Sequence, residues 1–502
     1  MAREAFDLVL DGGRIVDGSG ASAQRADVGV RGDRIAAVGD LADAATGMRL
    51  DVSGHVVAPG FIDVHSHDDG AVLVHPTMDF KVLQGVTTDV VGNCGLGPAP
   101  YAVSVWALRS FHPRATFPTW DGHAGYLALL DREPPSLNVG VLVGHNMVRA
   151  TVMGGREEAP SDADLAAMEA LVDEGMAAGA IGLSTGLIYE PGRHAHPPEI
   201  TALARRAAAA GGIYTSHMRD EGTGLLDSIA ETIAIGADTG IAVQVSHHKA
   251  AGRDSWGLVR RSLALLDAAR ARGIDVAADQ YPYTAGSTVL AAVVQNGALT
   301  PAGGPLGRLE PGDVRIASAP RHPEWEGRTI EELAVLLERS PLAAAEHIVA
   351  EEGPAASAIL EVMCEDDVRT VMQHPTTMIG SDGLPSLDGK PHPRLYGTFP
   401  RVLGRYARDA GILTLEDAVH RMTGMPAARF GFAGRGLVRP GYLADLVVFD
   451  PATICDRGTY EEPHRAPEGI RHVLVNGTLV VRDAAHTGAR PGRCLRRGEG
   501  PS

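Results

Sequence analysis

Residues 161–217 read SDADLAAMEALVDEGMAAGAIGLSTGLIYEPGRHAHPPEITALARRAAAAGGIYTSH, and two kinds of pattern alternate along them. Ser161 and Asp164 make a capping-box pair ahead of Leu165, Met168, Leu171, Val172 and Met176, whose 3/4 spacing gives one apolar helix face. The chain then extends through Ile181 to Ser184. Pro197 and Pro198 suit the next helix start and Gly211-Gly212 its end, after which Ile213 to Thr215 reads as a strand finishing at His217. Helix, glycine, short β-rich run: this is α/β grammar, repeated in units of about 30 residues.

The same pattern continues on both sides. A helix from about Leu225 precedes the strand Ile241 to Val245, which ends at Ser246-His247-His248-Lys249. Another, near Trp256 to Arg270, leads through Gly273 into Ile274 to Asp279 and then Tyr281-Pro282-Tyr283. Val56 to Val64, Val86 to Val91, Asn138 to Val143 and Thr377 to Ser381 bring the count to eight strands, which predicts a (β/α)8 TIM-like barrel over residues 58–429. Residues 284–375 are far too long for an ordinary connection between strands seven and eight, so they are expected to form a lid or substrate loop. The ends follow a different rule. Phe6 to Val16, Ala26 to Val38, Gly441 to Asp450 and His472 to Val481 alternate and turn on glycine, so residues 1–57 and 430–485 are expected to pair into one small β-sandwich domain, with 486–502 as a C-terminal tail.

Composition narrows the function. The chain has 502 residues, 44% of them hydrophobic, which excludes a small binding module and a disordered chain. Its net charge of −17 and the lack of a basic run exclude nucleic acid as a partner. No apolar stretch nears the ~18 residues of a membrane span, and Met-Ala-Arg-Glu-Ala-Phe-Asp lacks the form of a signal peptide, so a cytoplasmic protein is expected. The cysteines Cys94, Cys364, Cys455 and Cys494 are scattered, which argues against a disulfide framework.

The chemistry gathers at strand ends. His65-Ser66-His67 follows the first barrel strand, and alternation points both imidazoles to one side. Cys94, His217, His247 and Asp382 fall just past strands two, five, six and eight, where barrel active sites are built. Imidazole, thiolate and carboxylate are the ligand types zinc takes, so five strand ends converging on one mouth point to a metal site. An isolated His-x-His would more often be a hydrogen-bonded loop pair, and Cys94 alone a buried apolar thiol. His248 should point away from His247 and pack.

These motifs resemble the amidohydrolase superfamily and, within it, the N-acyl-D-amino-acid deacylases, also called D-aminoacylases. The resemblance covers nearly the whole chain. It rests on Pro-Gly-Phe-Ile-Asp-Val-His-Ser-His-Asp-Asp (59–69), Gly-Val-Thr-Thr and Gly-Asn-Cys-Gly (85–95), Ser-His-Met-Arg-Asp-Glu (216–221), Val-Ser-His-His-Lys (245–249), Tyr-Pro-Tyr-Thr-Ala-Gly-Ser (281–287) and Gly-Ser-Asp-Gly (380–383). Cys94 marks the branch, since many relatives bridge two metals with a carboxylated lysine instead. The resemblance implies one tight zinc (Zn2+) on Cys94, His217 and His247, and a second, weaker site on His65 and His67. Asp382 would move protons to and from the scissile amide. A free amino acid as product needs a grip on its carboxylate, for which Lys249, Tyr189, Tyr281 and Ser287 are candidates and Arg394 a more distant one.

The uncharged run Val289 to Val294 favours a hydrophobic D-amino-acid side chain over D-glutamate or D-aspartate. Preference for D over L comes from the resemblance alone. A cyclic-amide hydrolase of the dihydropyrimidinase or hydantoinase kind is the alternative enzyme, and Cys94 and Tyr-Pro-Tyr fit it poorly. A non-catalytic assembly protein would be expected to have lost ligands, and none is missing here. The oligomeric state is not legible in the sequence.

Overall fold

The computed structural model describes residues 5–498, so the opening Met-Ala-Arg-Glu and the last four residues of the expected tail lie outside the described residues. Eight parallel strands form the centre in the order Phe61–Asp63, Val86–Val91, Asn138–Gly144, Gly182–Gly186, Ile213–His217, Ala242–Val245, Val276–Gln280 and Thr377–Ile379. Sequential neighbours pair throughout, as short crossovers through helices require. The sheet closes where the last strand meets the first, through a parallel bridge between Ser66 and Gly383 and an Asp382 N–H that donates to the His65 carbonyl at 2.7 Å. The fold is the expected (β/α)8 barrel.

Local signals operate as read. Ser161 Oγ accepts from Asp164 N, and the Asp164 carboxylate accepts from Ser161 N at 3.1 Å, opening the helix Asp162–Ala178. Met168, Val172 and Met176 from its apolar face are buried, and Gly179 ends it at φ 111°, a conformation a side chain would resist. Pro197 opens the next helix, Pro197–Ala209, and the strand Ile213–His217 follows.

The expected first strand, Val56 to Val64, is corrected into two. Val56–Pro59 pairs with Phe6–Ile15 and Leu446–Phe449 in the terminal sheet, while Phe61–Asp63 enters the barrel beside Val86–Val91. Gly60 is the break: its N–H donates to Asp445 O and the next N–H, of Phe61, donates to Gly85 O. A Cβ on Gly60 would meet Thr87 Cγ2 at 2.1 Å, so only glycine lets the chain cross from one sheet to the other here. A continuous apolar run cannot reveal this, because both halves are buried.

The two ends of the chain combine as expected. A nine-stranded sheet collects Phe6–Ile15, Gln24–Arg31, Arg34–Gly39, Thr46–Asp51 and Val56–Pro59 from one end with Leu446–Phe449, Ile470–Val475, Thr478–Arg482 and Ala485–His486 from the other. Alternation divides its faces: Val57, Leu446 and Val448 pack into its own core with Leu10, Ile15 and Val28, while Val56, Ala58, Val447 and Phe449 join the barrel's core. The tail is not free. Cys494–Leu495 adds in parallel to Val139 and Gly140 of the third barrel strand.

Within residues 284–375, read as helical in their later part, lies a sheet that the sequence reading missed. Ala285–Val289, Val314–Ser318 and Ser357–Glu361 form a separate antiparallel sheet, with helices Leu290–Gln295, Ile330–Leu336 and Pro341–Glu352. The last helix of the stretch, Glu365–Gln373, packs against the seventh and eighth barrel strands and the helix Val259–Ala271, so it is the barrel's own crossover helix.

Beneath the closing seam lies a fully buried lysine. Lys81 Nζ donates to Asp63 Oδ2 at 2.5 Å and Ser381 Oγ at 2.9 Å and lies 3.0 Å from Asp68 Oδ2. Asp63 Oδ1 in turn accepts from His65 N and Ser381 N. Burial works against charge on Lys81, but Asp63, Asp68 and Asp89 outweigh it and keep it an ammonium. Burial pushes Asp89 well above the usual carboxylate range, with Asp68 and Asp63 adding to the effect against Lys81. Removing the cation alone leaves buried carboxylates unpaired, a loss of about 3–5 kcal/mol. Lys81→Met should therefore lower the urea midpoint by that equivalent, and a loss under about 1 kcal/mol would show that the seam does not depend on this ammonium.

Candidate metal centre and active site

Every strand-end residue singled out in the sequence reaches the same mouth of the barrel, but pleat alternation is not what aims it. The first strand stops at Asp63 and the sixth at Val245, so His65, His67, His247 and Lys249 all lie beyond strand geometry. Instead the backbone is left-handed at three of the key residues, with φ 55° at Cys94, 35° at His247 and 50° at Asp382. Such a conformation is costly for a residue with a side chain and marks a surrounding structure that enforces it. His247 N donates to Asp279 Oδ1 at 2.7 Å, and Asp382 N to His65 O.

The donor atoms form one connected cluster. His65 Nε2 is 3.2 Å from Cys94 Sγ, Cys94 Sγ is 3.5 Å from His247 Nε2, and His247 Nε2 is 2.8 Å from His217 Nδ1. Asp382 Oδ1 lies 3.1 Å from His67 Nε2 and 3.4 Å from His65 Nε2. Two sets of donors gather closely enough to share an ion: His65, Cys94, His247 and Asp382, and His217, Glu221 and His247. Cys94 and His247 thus stand between the two histidine groups that the resemblance kept apart. His248, as expected, turns away, with its Nε2 at 2.8 Å from Ser262 Oγ.

Electrostatics support a cation here. Burial pushes the Cys94 thiol up, yet the four histidines around it hold it well below the usual thiol range, so it is a thiolate. Burial likewise opposes charge on Asp382, but Arg394 and the nearby imidazoles hold its carboxyl well below the ordinary carboxylate range. His217 Nε2 is buried with no hydrogen-bond partner among the described residues. A buried thiolate, four imidazoles and an ionised carboxylate, with an orphaned ring nitrogen among them, fit a divalent first-row metal.

Two functional residues were missed by sequence reasoning. Asp279 accepts from His247 N and Gln244 Nε2 and lies 3.2 Å from His65 Nδ1, orienting two candidate ligands at once. Glu221 lies 3.0 Å from His247 Nδ1 and 2.5 Å from Lys249 Nζ; burial raises its carboxyl, but Lys249, His217 and His247 together bring it below its ordinary value. Asp279 stands at the end of a strand named above and Glu221 in the 216–221 motif, four residues after His217, but a carboxylate behind a histidine carries no spacing signal of its own.

A cavity of about 240 Å3 opens over the cluster. His67, Cys94, His217, His247, Lys249, Tyr189, Tyr281, Ser287 and Asp382 reach its wall. Tyr189 packs edge-on against His217 at 4.8 Å and shares a hydrogen bond with Thr288 Oγ1 at 2.9 Å. Arg394 does not line the cavity. It is fully buried, pairs with Asp382 Oδ2 at 2.9 Å, lies over the Tyr281 ring at 4.4 Å and donates to Ser287 O, so it acts on Asp382 and Tyr281 from behind.

Residues 50–481 match the sequence profile of the amidohydrolase family. The chain belongs to the amidohydrolase family. This amidohydrolase is 46% identical to a D-aminoacylase of Alcaligenes xylosoxydans xylosoxydans over 98% of each chain. It matches the crystal structure of an N-acyl-D-glutamate deacylase from Bordetella bronchiseptica, complexed with zinc and a phosphonate mimic of the tetrahedral intermediate, at TM-score 0.88 and 43% identity over 98% of this chain and 100% of that one. It also matches a D-aminoacylase structure described with a binuclear metal centre, one-metal activation and second-metal attenuation, at TM-score 0.87 and 43% identity over the same shares. If the cluster holds the metal, protein purified without chelator should carry it, and Cys94→Ala and His247→Ala should lose it more completely than His67→Ala by elemental analysis; full retention in Cys94→Ala would remove the thiolate from the ligand set.

Proposed function

We propose that this amidohydrolase is a zinc-dependent N-acyl-D-amino-acid deacylase, hydrolysing a linear amide to a carboxylate and a free D-amino acid with a hydrophobic side chain. The observation that carries the reading is the buried Cys94 thiolate among four histidines, with ionised Asp382 at the same mouth, in a chain whose relatives deacylate D-amino acids. Cys94, His217 and His247 would hold the tighter metal and His65 and His67 the second. Bound there, zinc supplies Lewis-acid chemistry, polarising an amide carbonyl and making water acidic enough to ionise near neutral pH.

The protein's own groups do the rest. Asp382, kept ionised by Arg394, accepts the water's proton and delivers it to the departing nitrogen. Lys249 and Tyr281 hold the substrate's α-carboxylate. Lys249 already faces Glu221, so the substrate carboxylate joins an existing pair rather than a bare cation. Tyr281 lies between two cations, with Arg394 at 4.4 Å and Lys249 Nζ at 5.8 Å from its ring.

Side-chain preference follows from the excursion's contribution to the cavity. Val289, Ala291, Ala292, Leu306, Leu360 and Val362 line it, and Lys249 is the sole lysine or arginine among the described lining residues. With Lys249 committed to the α-carboxylate, a D-glutamyl or D-aspartyl side chain would bury an unpaired charge, so D-Leu, D-Met and D-Phe derivatives should be preferred.

Asp382→Asn should fold and keep its metal but lose about 10²- to 10⁴-fold in kcat. A matched panel of N-acetyl-D and N-acetyl-L forms of Leu, Met, Phe and Glu should show the D apolar forms cleaved well, the L forms poorly and D-Glu behind. Preference for the L series would overturn the D-amino-acid reading. Preference for D-Glu would overturn the apolar pocket. Lys249→Met should raise KM about 10- to 100-fold for every acyl-amino acid, the worth of one charge-assisted hydrogen bond.

A further inference from the structure

The proposed function leaves one end of the substrate without a site: the acyl group. Its position follows from the barrel's circular order. Lys249 and Tyr281 stand after strands six and seven, and Asp382 after strand eight, so a substrate whose carboxylate is held there points its acyl group across the mouth. In an eight-stranded barrel the strand facing the sixth is the second. After that strand, beyond Cys94, the chain forms the helix Tyr101–Phe111, which leans over the cavity and packs against Gly353–Ala355 of the excursion.

One face of this helix is turned to the cavity. Trp106, Ala107, Ser110 and Phe111 line it, at the 3/4 spacing that puts residues on one side, while Val105 and Leu108 are buried in the core. Phe111 is buried with its ring 6.3 Å from that of His67, and so reaches the reacting centre. Trp106, five residues back, stands at the rim and is 64% exposed, an unusual state for a side chain of that size. Leu96, two residues past Cys94 and ahead of this helix, also lines the cavity. Apart from the Ser110 hydroxyl the wall is apolar from the metal-site histidine to the solvent, and none of its residues carries charge.

We propose that this wall is the acyl subsite, and that it takes an unbranched aliphatic acyl chain longer than acetyl, whose far end covers Trp106. The inference rests on the N-acyl-D-amino-acid reading and names the half of the substrate that reading leaves open. A charged acyl group such as succinyl finds no counter-charge on the wall. An acetyl group reaches no farther than Phe111 and leaves Trp106 in water. A methylene fully buried contributes about fourfold in binding, and one covered on a single side by a rim tryptophan about half as much, or about twofold.

The test is a series of N-acetyl-, N-butanoyl-, N-hexanoyl- and N-succinyl-D-leucine on the zinc-loaded full chain. In the wild type, kcat/KM should rise about 16-fold from acetyl to hexanoyl, with the gain in KM, and succinyl should fall below butanoyl. In Trp106→Ala the hexanoyl-to-acetyl ratio should collapse towards one, and in Trp106→Phe it should largely return. Because Trp106 is exposed, these variants remove little packing. A flat wild-type series, or a ratio unchanged in Trp106→Ala, overturns the acyl subsite while leaving the deacylase reading intact. Failure to cleave any N-acyl-D-leucine overturns the deacylase reading, and the subsite with it.

Discussion

The ammonium of Lys81, sealed beneath the junction of the first and eighth barrel strands, is the interaction on which both the barrel and its chemistry depend. A sheet of eight parallel strands has to close somewhere, and here ladder pairing thins to a bridge and a single backbone hydrogen bond at the seam. Lys81 bonds Asp63 on one side and Ser381 on the other, and Asp63 reaches back to the N–H groups of His65 and Ser381. The residues so fixed adjoin His65, His67 and Asp382. Closure of the fold and spacing of the site are thus one event. The low dielectric under the seam strengthens the pairing and also makes it indispensable, since a buried carboxylate without its cation has no solvent to turn to.

Above the seam, function is obtained by leaving regular structure at chosen points. A strand presents side chains alternately inward and outward, whereas a metal site needs several donors aimed at one point. Cys94, His247 and Asp382 meet this need in the left-handed region just past their strands. Each such residue costs about 1–3 kcal/mol. Asp279 offsets part of that cost at His247 and the closing backbone bond does so at Asp382, while at Cys94 the following Gly95 N–H donates to Ser184 Oγ. The groups that hold the donors therefore come from other barrel strands, the adjacent one at His247 and Asp382 and the next but one at Cys94, so the cluster is as rigid as the barrel itself.

This explains what the sequence could and could not reveal. The helix and strand between Ser161 and His217 were legible because capping, apolar period and terminal glycine agree there, and the donors were legible because their chemical types recur at strand ends. Alternation placed His65 and His67 correctly for the wrong reason, since their strand has already ended at Asp63. Nothing local marks His247 as left-handed, since its conformation depends on a carboxylate 32 residues away. The break at Gly60 was hidden because burial on both sides erases alternation, and the small sheet within 284–375 because its three strands pair across long gaps. Arg394 was readable as a cation near the mouth, but only the fold shows it behind Asp382 rather than on the wall.

The charges around the cavity also bear on the order of events. Cys94, Glu221 and Asp382 are ionised, and Lys249 and Arg394 are already engaged, the first with Glu221 and the second with Asp382. An acyl-amino acid brings one more negative charge into a site whose lysine and arginine are both already paired. Without further positive charge, the carboxylate would have to break one of these pairs and leave its partner buried alone. A divalent cation on the thiolate and imidazoles removes that conflict. The same ion that the chemistry calls for is then what makes room, electrostatically, for the substrate, and the two are linked reciprocally: the factor by which bound metal tightens the acyl-amino acid is the factor by which the acyl-amino acid tightens the metal. The apolar walls serve this coupling as well, since they keep water from screening the ion from the carboxylate it admits.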